Sequence, residues 1–200
     1  VIAKADLTVT AENKTRIYSE ANPELTVSYS GFVNSENGDV LDTKPSAATV
    51  ALPSDNTGTY PIIASGGSDN NYNLLYADGI LSVTKSMLTI TAENKSRKYG
   101  EVNPVLTYAY VGFKNNDDAT DIDQLPAIAT VAINTTPVGT VPVTLTDGTD
   151  DNYEFTLNNG TISVTKTALA ISADNKTKVY GQSNPELTIT WAGFVNGEDK

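Results

Sequence analysis

Hydrophobic and polar residues alternate in short runs along most of the chain, and this period of two is typical of half-buried β-strands. Six segments between residues 86 and 166 are rich in β-branched and aromatic residues. They are Leu88–Thr91, Leu106–Val111, Ala127–Ile133, Val141–Thr146, Tyr153–Leu157 and Thr161–Thr165. No stretch of ten or more residues shows helical periodicity. The pattern predicts a mainly β protein.

Turn residues separate these segments. Asn158-Asn159-Gly160 and its counterpart Ala77-Asp78-Gly79 match the Asn/Asp-Gly pattern of a type I′ hairpin, in which both central residues need positive φ. Pro142 and Pro61 lie inside strand patterns. Because proline lacks a backbone N–H, we expect the strand that carries it to be peripheral or bulged.

The chain repeats itself at a fixed interval. The segment Ala92–Tyr99 has counterparts that begin at Ala11 and Ala173, each 81 positions apart, and residues 5–85 and 86–166 are identical at 36 of 81 positions. About 81 residues are enough for a small domain with its own core. We therefore predict a tandem array of small β-domains: 1–4 ends a preceding repeat, 5–85 and 86–166 are complete repeats, and 167–200 starts a third. We expect the chain to be part of a longer repetitive protein.

The connection between repeats is short. About four small or polar residues separate the strand patterns around Val164 and Leu169, with no glycine or proline among them. A linker of this length, nearly extended, limits bending between neighbours. The expected array is an elongated rod.

Composition excludes several classes of function. With 24 acidic and 13 basic residues the formal net charge is −11, which argues against binding nucleic acid. No stretch approaches the ~20 apolar residues of a membrane-spanning helix, so no membrane insertion is expected in this segment. The chain has neither cysteine nor histidine, and it therefore lacks thiol chemistry, zinc sites and the commonest general base. We expect no enzymatic activity and no cofactor.

An acidic stretch is the one candidate metal site. Asp117, Asp118, Asp121 and Asp123 offer the hard oxygen ligands that calcium prefers. The spacing does not fit an EF-hand, because the glycine at the sixth position and the terminal glutamate are absent. A solvated acidic loop is the favoured interpretation, and a weak calcium site is the alternative. The stretch also allows one or two helical turns before Pro126, with Asp117 or Asp118 as N-cap.

Two further groups have structural and functional interpretations. Asp150 and Asp69 precede Asn-Tyr pairs in register, and an Asx-turn explains them without any ligand. Tyr99, Tyr108 and Tyr110 either line a carbohydrate platform or pack in a small core, and core packing is the default for aromatic residues in a domain of this size.

The recurring motifs resemble a known family. They are Asn94-Lys95, Tyr99-Gly100-Glu101, Asn103-Pro104, Gly112-Phe113, Asp151-Asn152-Tyr153 and Gly160–Lys166, and Tyr180-Gly181 with Asn184-Pro185 repeat the pattern in the third copy. This arrangement resembles the MBG domain of the Tyr-Gly-x type, found in long bacterial surface proteins. The first repeat departs from it with Tyr18-Ser19, which makes glycine at that position less strictly demanded.

The resemblance implies an extracellular, bacterial cell-surface protein of the adhesin type. It implies either a ubiquitin-like β-grasp fold, with a short helix at residues 117–125, or an immunoglobulin-like sandwich as the alternative. The function that we expect is a structural stalk that extends a distal binding region from the cell. The alternative is an array of weak glycan- or mucin-binding modules that act through avidity. The expected partners are glycans or other surface proteins, and exposed edge strands make lateral self-association plausible. No specific ligand-binding residues follow from the resemblance.

Overall fold

A computed structural model describes residues 2–200. Strands make up nearly all of its regular structure, and the one helical segment in this range is a three-residue 3-10 helix, Gly38–Val40. The strands are β1 (Ala5–Ala11), β2 (Lys14–Ile17), β3 (Val27–Ser30), β4 (Ser46–Ala48), β5 (Gly58–Ser65), β6 (Tyr72–Ala77), β7 (Gly79–Thr84), β8 (Ser86–Ala92), β9 (Lys95–Lys98), β10 (Tyr108–Val111), β11 (Ala127–Thr130), β12 (Gly139–Thr146), β13 (Tyr153–Asn158), β14 (Gly160–Thr165), β15 (Ala170–Ala173) and β16 (Ile189–Ala192). All six strands that the sequence predicts between residues 86 and 166 are formed.

The chain divides into two compact units that do not coincide with single repeats. The described part of the first consists of residues 2–88, Val111–Leu125 and Gly148–Thr156. The second consists of Thr89–Tyr110, Pro126–Asp147 and Leu157–Lys200. Each unit therefore joins residues of one repeat to a part of the next, while the repeat limits at residues 5–85 and 86–166 stay a prediction from sequence periodicity.

The first unit contains two facing sheets. In one, β1 lies between β3, which it pairs antiparallel, and β6, which it pairs parallel. In the other the order is β2-β7-β5-β4, with β2 parallel to β7 and the other pairs antiparallel. Strands β1 and β6 contact β5 across the interior. The two sheets thus form a small sandwich.

Alternating residues of these strands fill the interior between the sheets. Leu7 and Val9 of β1, Ile62 of β5 and Leu81 of β7 are fully buried, as the period of two requires. At one end, Leu41 and the ring of Tyr72 pack with Leu7. Burying side chains of this size stabilises a fold by roughly 1.5–3 kcal/mol each.

The second unit contains a four-stranded sheet with the order β11-β12-β14-β9, in which only β14 and β9 run parallel. It is the counterpart of β4-β5-β7-β2. Strands β15 and β16 pair antiparallel. The strand order β10-β8-β13 likewise repeats the order β3-β1-β6. The duplication seen in the sequence is therefore also a duplication of strand order.

The hairpin predicted at Asn158-Asn159-Gly160 is wrong, and so is the one at Ala77-Asp78-Gly79. Neither glycine has a positive φ, and the strands on either side of each belong to different sheets. At both places the chain instead crosses from one sheet to the other. Gly160 lies next to the crossing from β8 to β9, and Gly79 lies next to the crossing from β1 to β2. A Cβ on Gly160 would lie 2.5 Å from the Ala92 carbonyl oxygen. Glycine is therefore needed for a close backbone approach and not for a turn.

The strand that carries Pro142 is internal, which corrects the prediction of a peripheral strand. Strand β12 lies between β11 and β14. However, β11 ends at Thr130, opposite Val143, and the Thr130 hydroxyl donates to the Pro142 carbonyl (2.8 Å). A residue in a strand directs its N and C=O to the same side, so the nitrogen of Pro142 faces the space beyond the end of β11. Its missing N–H costs no ladder bond, and Pro61 repeats this arrangement with Thr49.

The helix implied for residues 117–125 is also wrong, since this segment is a series of turns without helix. The Asp118 carboxylate accepts from the Thr120 backbone N–H (2.7 Å), and the Asp121 carboxylate accepts from the Asp118 N–H (2.7 Å). Such local side-chain bonds compete with helical ones. The fold is mainly β, without the β-grasp helix, and its parallel pairs differ from the all-antiparallel sheets of an immunoglobulin domain.

Candidate functional site

The four aspartates singled out from the sequence are not gathered around a common point. Among residues 2–200, no three acidic side chains lie close enough to hold one metal ion. Asp118 and Asp121 bond the local backbone, and Asp123 accepts from the Asp151 N–H (2.8 Å). Hydrogen bonds from Thr120 hold the pKa of the Asp118 carboxyl below its ordinary value. Asp117 contacts a side chain of the neighbouring repeat.

A turn around a tyrosine is the first half of that contact. Tyr18 is followed by Ser19 with φ 72°, and the Glu20 N–H donates to the Ile17 carbonyl (3.1 Å). The same turn recurs at residues 98–101, with Gly100 at φ 89°, and at residues 179–182, with Gly181 at φ 86°. We call residues 17–20, 98–101 and 179–182 the tyrosine turns. Ser19 has the left-handed backbone of the two glycines, so this position still demands positive φ in the first repeat.

A loop that ends in an acidic residue is the second half. Asn115 and Asn116 both have positive φ, at 51° and 68°, and the Asp117 N–H donates to the Lys114 carbonyl (2.7 Å). The same backbone bond and the same two left-handed residues recur at residues 33–36 and 195–198, which end in Glu36 and Glu198. We call residues 33–36, 114–117 and 195–198 the carboxylate loops.

In the first unit, the tyrosine turn of one repeat sits on the carboxylate loop of the next. The Tyr18 hydroxyl donates to Asp117 Oδ2 (3.1 Å). The same oxygen accepts from the Tyr153 hydroxyl (2.6 Å), which itself accepts from the Lys114 N–H (2.8 Å). The Tyr18 ring meets the Tyr153 ring edge to face, with centroids 5.6 Å apart. This first junction thus joins the Asp117 carboxylate to the hydroxyl groups of Tyr18 and Tyr153, whose rings also pack against each other.

The second unit contains the same contact one repeat later. The Tyr99 hydroxyl donates to Glu198, and Asn134 Nδ2 donates to Asn196 Oδ1 (3.1 Å). In both junctions the tyrosine and the acid are 99 residues apart. An identical offset at two places indicates that the contact belongs to the repeat and is not an accident of one surface.

The electrostatics of the first junction favour neutral phenols. Burial raises the pKa of Tyr18, and the adjacent Asp117 carboxylate raises it further. Burial followed by the hydrogen bond to Asp117 likewise raises the pKa of Tyr153. At the second junction the hydrogen bond to Glu198 raises the pKa of Tyr99. A protonated phenol can donate to a carboxylate, and such charge-assisted bonds are stronger than neutral ones.

Polar side chains flank the first junction. The Lys85 ammonium donates to the Asp150 carbonyl (2.6 Å). The Thr57 N–H donates to the Asn152 side chain (3.0 Å), and the Thr57 hydroxyl donates to the Asp151 carbonyl (2.7 Å). Since β7 ends at Thr84 and β8 begins at Ser86, only Lys85 separates the last strand of one repeat from the first of the next. The chain connection and the tyrosine contact therefore act together.

The predicted turn at Asp150 is formed. Its carboxylate accepts from the backbone N–H groups of Asn152 (2.7 Å) and Tyr153 (2.8 Å), and Asp69 does the same in the first repeat. These are the Asx-turn bonds that short acidic side chains make. They position Asn152 and Tyr153 for the first junction.

Tyr99, Tyr108 and Tyr110, for which core packing was the default interpretation and a carbohydrate platform the alternative, have separate roles. Tyr99 belongs to the second junction. Tyr108 and Tyr110 pack edge to face, with centroids 5.4 Å apart, and burial raises the pKa of Tyr110 to about 12. The first repeat has Val27 in place of Tyr108, so this pair does not recur.

We expect Gly100→Ala to destabilise the second unit by about 2 kcal/mol, because φ near +89° strains an L-residue. In addition, the new Cβ would lie 2.6 Å from a methyl carbon of Val195. The matched change Ser19→Gly removes such strain and should stabilise by about 0.5 kcal/mol after the entropy of glycine is counted. Hydrogen exchange measures both, because it follows the amides of each unit separately. Equal destabilisation by the two substitutions would contradict the shared left-handed turn.

Comparison with known families agrees with the repeat pattern. A family model described as MBG domain (YGX type) matches residues 7–82, 88–163 and 169–200. A search of curated proteins gave no match. In residues 2–200 the structure has no helix with the length and apolarity needed to cross a membrane.

Proposed function

Because the chain belongs to the family of MBG domains of the YGX type, we propose that its repeats are the structural stalk of a large bacterial surface adhesin or extracellular fibre. In this role they extend a distal binding region from the cell. The observation that carries the proposal is the tyrosine–carboxylate junction, which recurs with the same 99-residue offset. A contact of this kind restrains each repeat against the next.

The junction suits a stalk because it restrains bending at the one place where a tandem array is weakest. A short linker limits bending, but a linker alone still permits some relative motion of two domains. Here a single residue, Lys85, separates β7 from β8, and the Tyr18–Asp117 bond fixes a second point at a distance in the sequence. Two attachment points oppose rotation about either one. The array then stays extended and transmits tension, because each repeat bends little relative to the next.

The alternative, in which each repeat is a weak glycan- or mucin-binding module, requires the same exposed surface in every copy. The aromatic pair Tyr108–Tyr110 is replaced by Val27 and Tyr29 in the first repeat, which favours the stalk. Glycans or other surface proteins are then partners of the distal region. The proposal involves no catalytic step and no cofactor, and it places the chain outside the cell, at the bacterial surface.

Small-angle X-ray scattering on the 200-residue chain tests this function. We expect a long maximum dimension that is the same in calcium and in EDTA. Tyr18→Phe combined with Asp117→Asn should broaden the distance distribution, because it removes the bond at the first junction. Tyr76→Phe, which lies outside the junction, serves as the control and should leave the profile unchanged.

A compact or jointed particle that extends only with calcium would overturn the passive stalk. In that case Asp117, Asp118, Asp121 and Asp123 become the residues to mutate. An extended profile that the double substitution leaves unchanged would show that the linker alone sets the shape, and the junction would then have no mechanical role.

A further inference from the structure

The first and last strands of the first repeat run side by side in the same direction. Strand β1 pairs with β6 in parallel, and β2 pairs with β7 in parallel. In both pairs each residue lies opposite the residue 67 positions later. We call residues 5–17 together with residues 72–84 the terminal pair of this repeat. Its two chains change sheet together, so the pairing continues from one sheet of the sandwich into the other.

An asparagine side chain bridges the place where the terminal pair changes sheet. Asn13 lies between the end of β1 and the start of β2, and its Oδ1 accepts from the Ile80 N–H (2.8 Å) across the same offset of 67 residues. In the second repeat Asn94 Oδ1 accepts from the Thr161 N–H (2.9 Å), also 67 residues away. A side-chain acceptor therefore keeps the two chains bonded between the two ladders.

The second repeat has a terminal pair of the same construction. Strand β9 pairs with β14 in parallel, with the same offset of 67. The Ser86 N–H donates to the Asn152 carbonyl (2.9 Å), and the Tyr99 N–H donates to the Thr165 carbonyl (2.8 Å). The first repeat has the equivalents of both bonds, 81 positions earlier. Each terminal pair is formed within its own repeat and does not depend on a neighbouring one.

Tension along the chain would load the terminal pair in shear. It enters the first repeat at Ala5, the first residue of the pair, and leaves at Thr84, the last. Because the two chains are parallel, these residues lie at opposite ends of the pair, and the evenly spaced bonds of the parallel ladders share the load. A load applied at one end would instead break the bonds one after another.

The two strands that tension loads first are well held. Strand β1 lies between β3 and β6, and β7 lies between β2 and β5, so each is paired on both sides. Leu7, Val9 and Leu81 of these strands are fully buried. Hydrogen bonds beside a low-dielectric interior are stronger than bonds in water. Breaking the pair therefore requires many protected bonds to fail together.

From this topology we propose that the terminal pair is the force-bearing element of each repeat. Residues 18–71 then lie outside the path of the force and carry load only after the pair breaks. Only Lys85 separates the end of β7 from the start of β8, so tension passes from one terminal pair to the next without stretching a loop. This inference rests on the proposed function for the source of the tension, which is a stalk held at the cell and pulled at its distal region.

Single-molecule force spectroscopy on the full chain tests the inference. The sequence has no cysteine, so two introduced cysteines define where the force is applied. Ile2→Cys with Met87→Cys loads the terminal pair of the first repeat in shear. Ile2→Cys with Asn70→Cys pulls at the first residues of both chains and peels them apart. All three replaced side chains are exposed.

We expect the unfolding force in shear to be several times the force in peeling, because forced unfolding follows the barrier that the load has to cross. In shear the repeat should open in one step that releases roughly 240 Å, the extended length of the repeat less the length of the folded pair. Equal forces in the two geometries overturn the inference, as does release in shear through several weak, shorter steps.

The bridging asparagines give a residue-level test. With the chain pulled at Ile2→Cys and Lys200→Cys, we expect two high-force events, one from each complete repeat. Asn13→Ala should lower the force of one event, and Asn94→Ala should lower the force of the other. Each variant thus has an unaltered repeat in the same molecule. Asn70→Ala, outside the terminal pair, is the matched control. Forces that Asn13→Ala and Asn94→Ala leave unchanged would contradict a pair that is continuous through the crossing.

The outcome is separable from that of the proposed function. The Tyr18 hydroxyl and Asp117 lie outside the terminal pair, so Tyr18→Phe with Asp117→Asn should change the scattering profile and leave the shear force unchanged. Conversely, Asn13→Ala should lower the force and leave the profile unchanged. Equal forces in the two geometries with an extended profile would refute the force-bearing pair alone. A high shear force in a chain that extends only with calcium would refute the passive stalk alone.

Discussion

Replacing Gly160 with alanine should lower the stability of the second unit by about 3 kcal/mol or more. The new Cβ would lie 2.5 Å from the Ala92 carbonyl oxygen and 3.1 Å from that of Glu93. Both neighbours are backbone atoms and cannot rotate away, so β14 must separate from the crossing or the crossing must open. Overpacking of this kind typically costs 1–3 kcal/mol, and sometimes more when backbone has to move.

Hydrogen exchange is the suitable measurement, because a chain with several units does not unfold as one two-state system. Amides of β12 and β14 should exchange about a hundredfold faster in Gly160→Ala, which corresponds to roughly 3 kcal/mol. Gly79→Ala should do the same to β5 and β7, since its Cβ would lie 2.5 Å from the Ala11 carbonyl oxygen. The exposed Thr156→Ala in β13 is the control and should change exchange little.

An effect of Gly160→Ala below about 0.5 kcal/mol would contradict the crossing. It would indicate that the two backbones can separate at no cost. The prediction also differs from the hairpin interpretation, in which the glycine is needed for positive φ and has free space around it. Here φ is not positive, so an alanine would be tolerated if space were available.

Strand positions were predictable from sequence because the alternation of buried and exposed residues is local. Strands β8 and β14 show it over seven and six residues. Strand pairing was not predictable in the same way. Asn159-Gly160 matches a hairpin turn, and nothing within a few residues reveals that Ala92 lies against Gly160. The choice between a turn and a crossing depends on a backbone 68 residues away.

The candidate site was predictable only in part. Asp117 stood out as one of four acidic residues, but its partner Tyr18 is 99 residues distant, and no local pattern joins them. A clue was nevertheless present in the repeat register. An acid recurs at Glu36, Asp117 and Glu198, whereas the position of Asp121 is Val40 in the first repeat. Recurrence in every copy indicates a carboxylate that the repeat requires, whereas a carboxylate that only faces solvent can be replaced.

In the first two repeats the asparagine of the Asn-Pro motif holds a buried arginine. Arg97 is only 5 % exposed, and its guanidinium donates to Asn103 Oδ1 (2.8 Å) and to the carbonyls of Lys98 and Ile133. Asn103 Nδ2 in turn donates to the Ala132 carbonyl (2.6 Å). None of the ion pairs among residues 2–200 includes Arg97. The hydrogen bonds of this guanidinium therefore go to neutral oxygens.

Asn103→Ala should accordingly destabilise the second unit by about 2–4 kcal/mol, because it leaves a buried guanidinium N–H and a carbonyl without partners. Thermal unfolding by circular dichroism should show a first transition about 10–20 °C lower. Asn103→Asp keeps the acceptor for Arg97 but loses the donor to Ala132, so its cost should be smaller. Asn22→Ala should reproduce the full loss in the first unit, since Asn22 holds Arg16 in the same way (2.9 Å).

The exposed Asn70→Ala is the control and should leave the melting temperature within about 2 °C of the wild type. If Asn103→Ala did the same, the guanidinium would have to find other oxygens, and the conformation after Tyr99 would not depend on the Asn-Pro motif. The Asn103→Ala substitution should also affect the second junction, because Arg97 precedes the tyrosine turn at residues 98–101 and donates to the Lys98 carbonyl. Loss of the buried arginine bond should therefore loosen that turn, and with it the Tyr99 contact to Glu198.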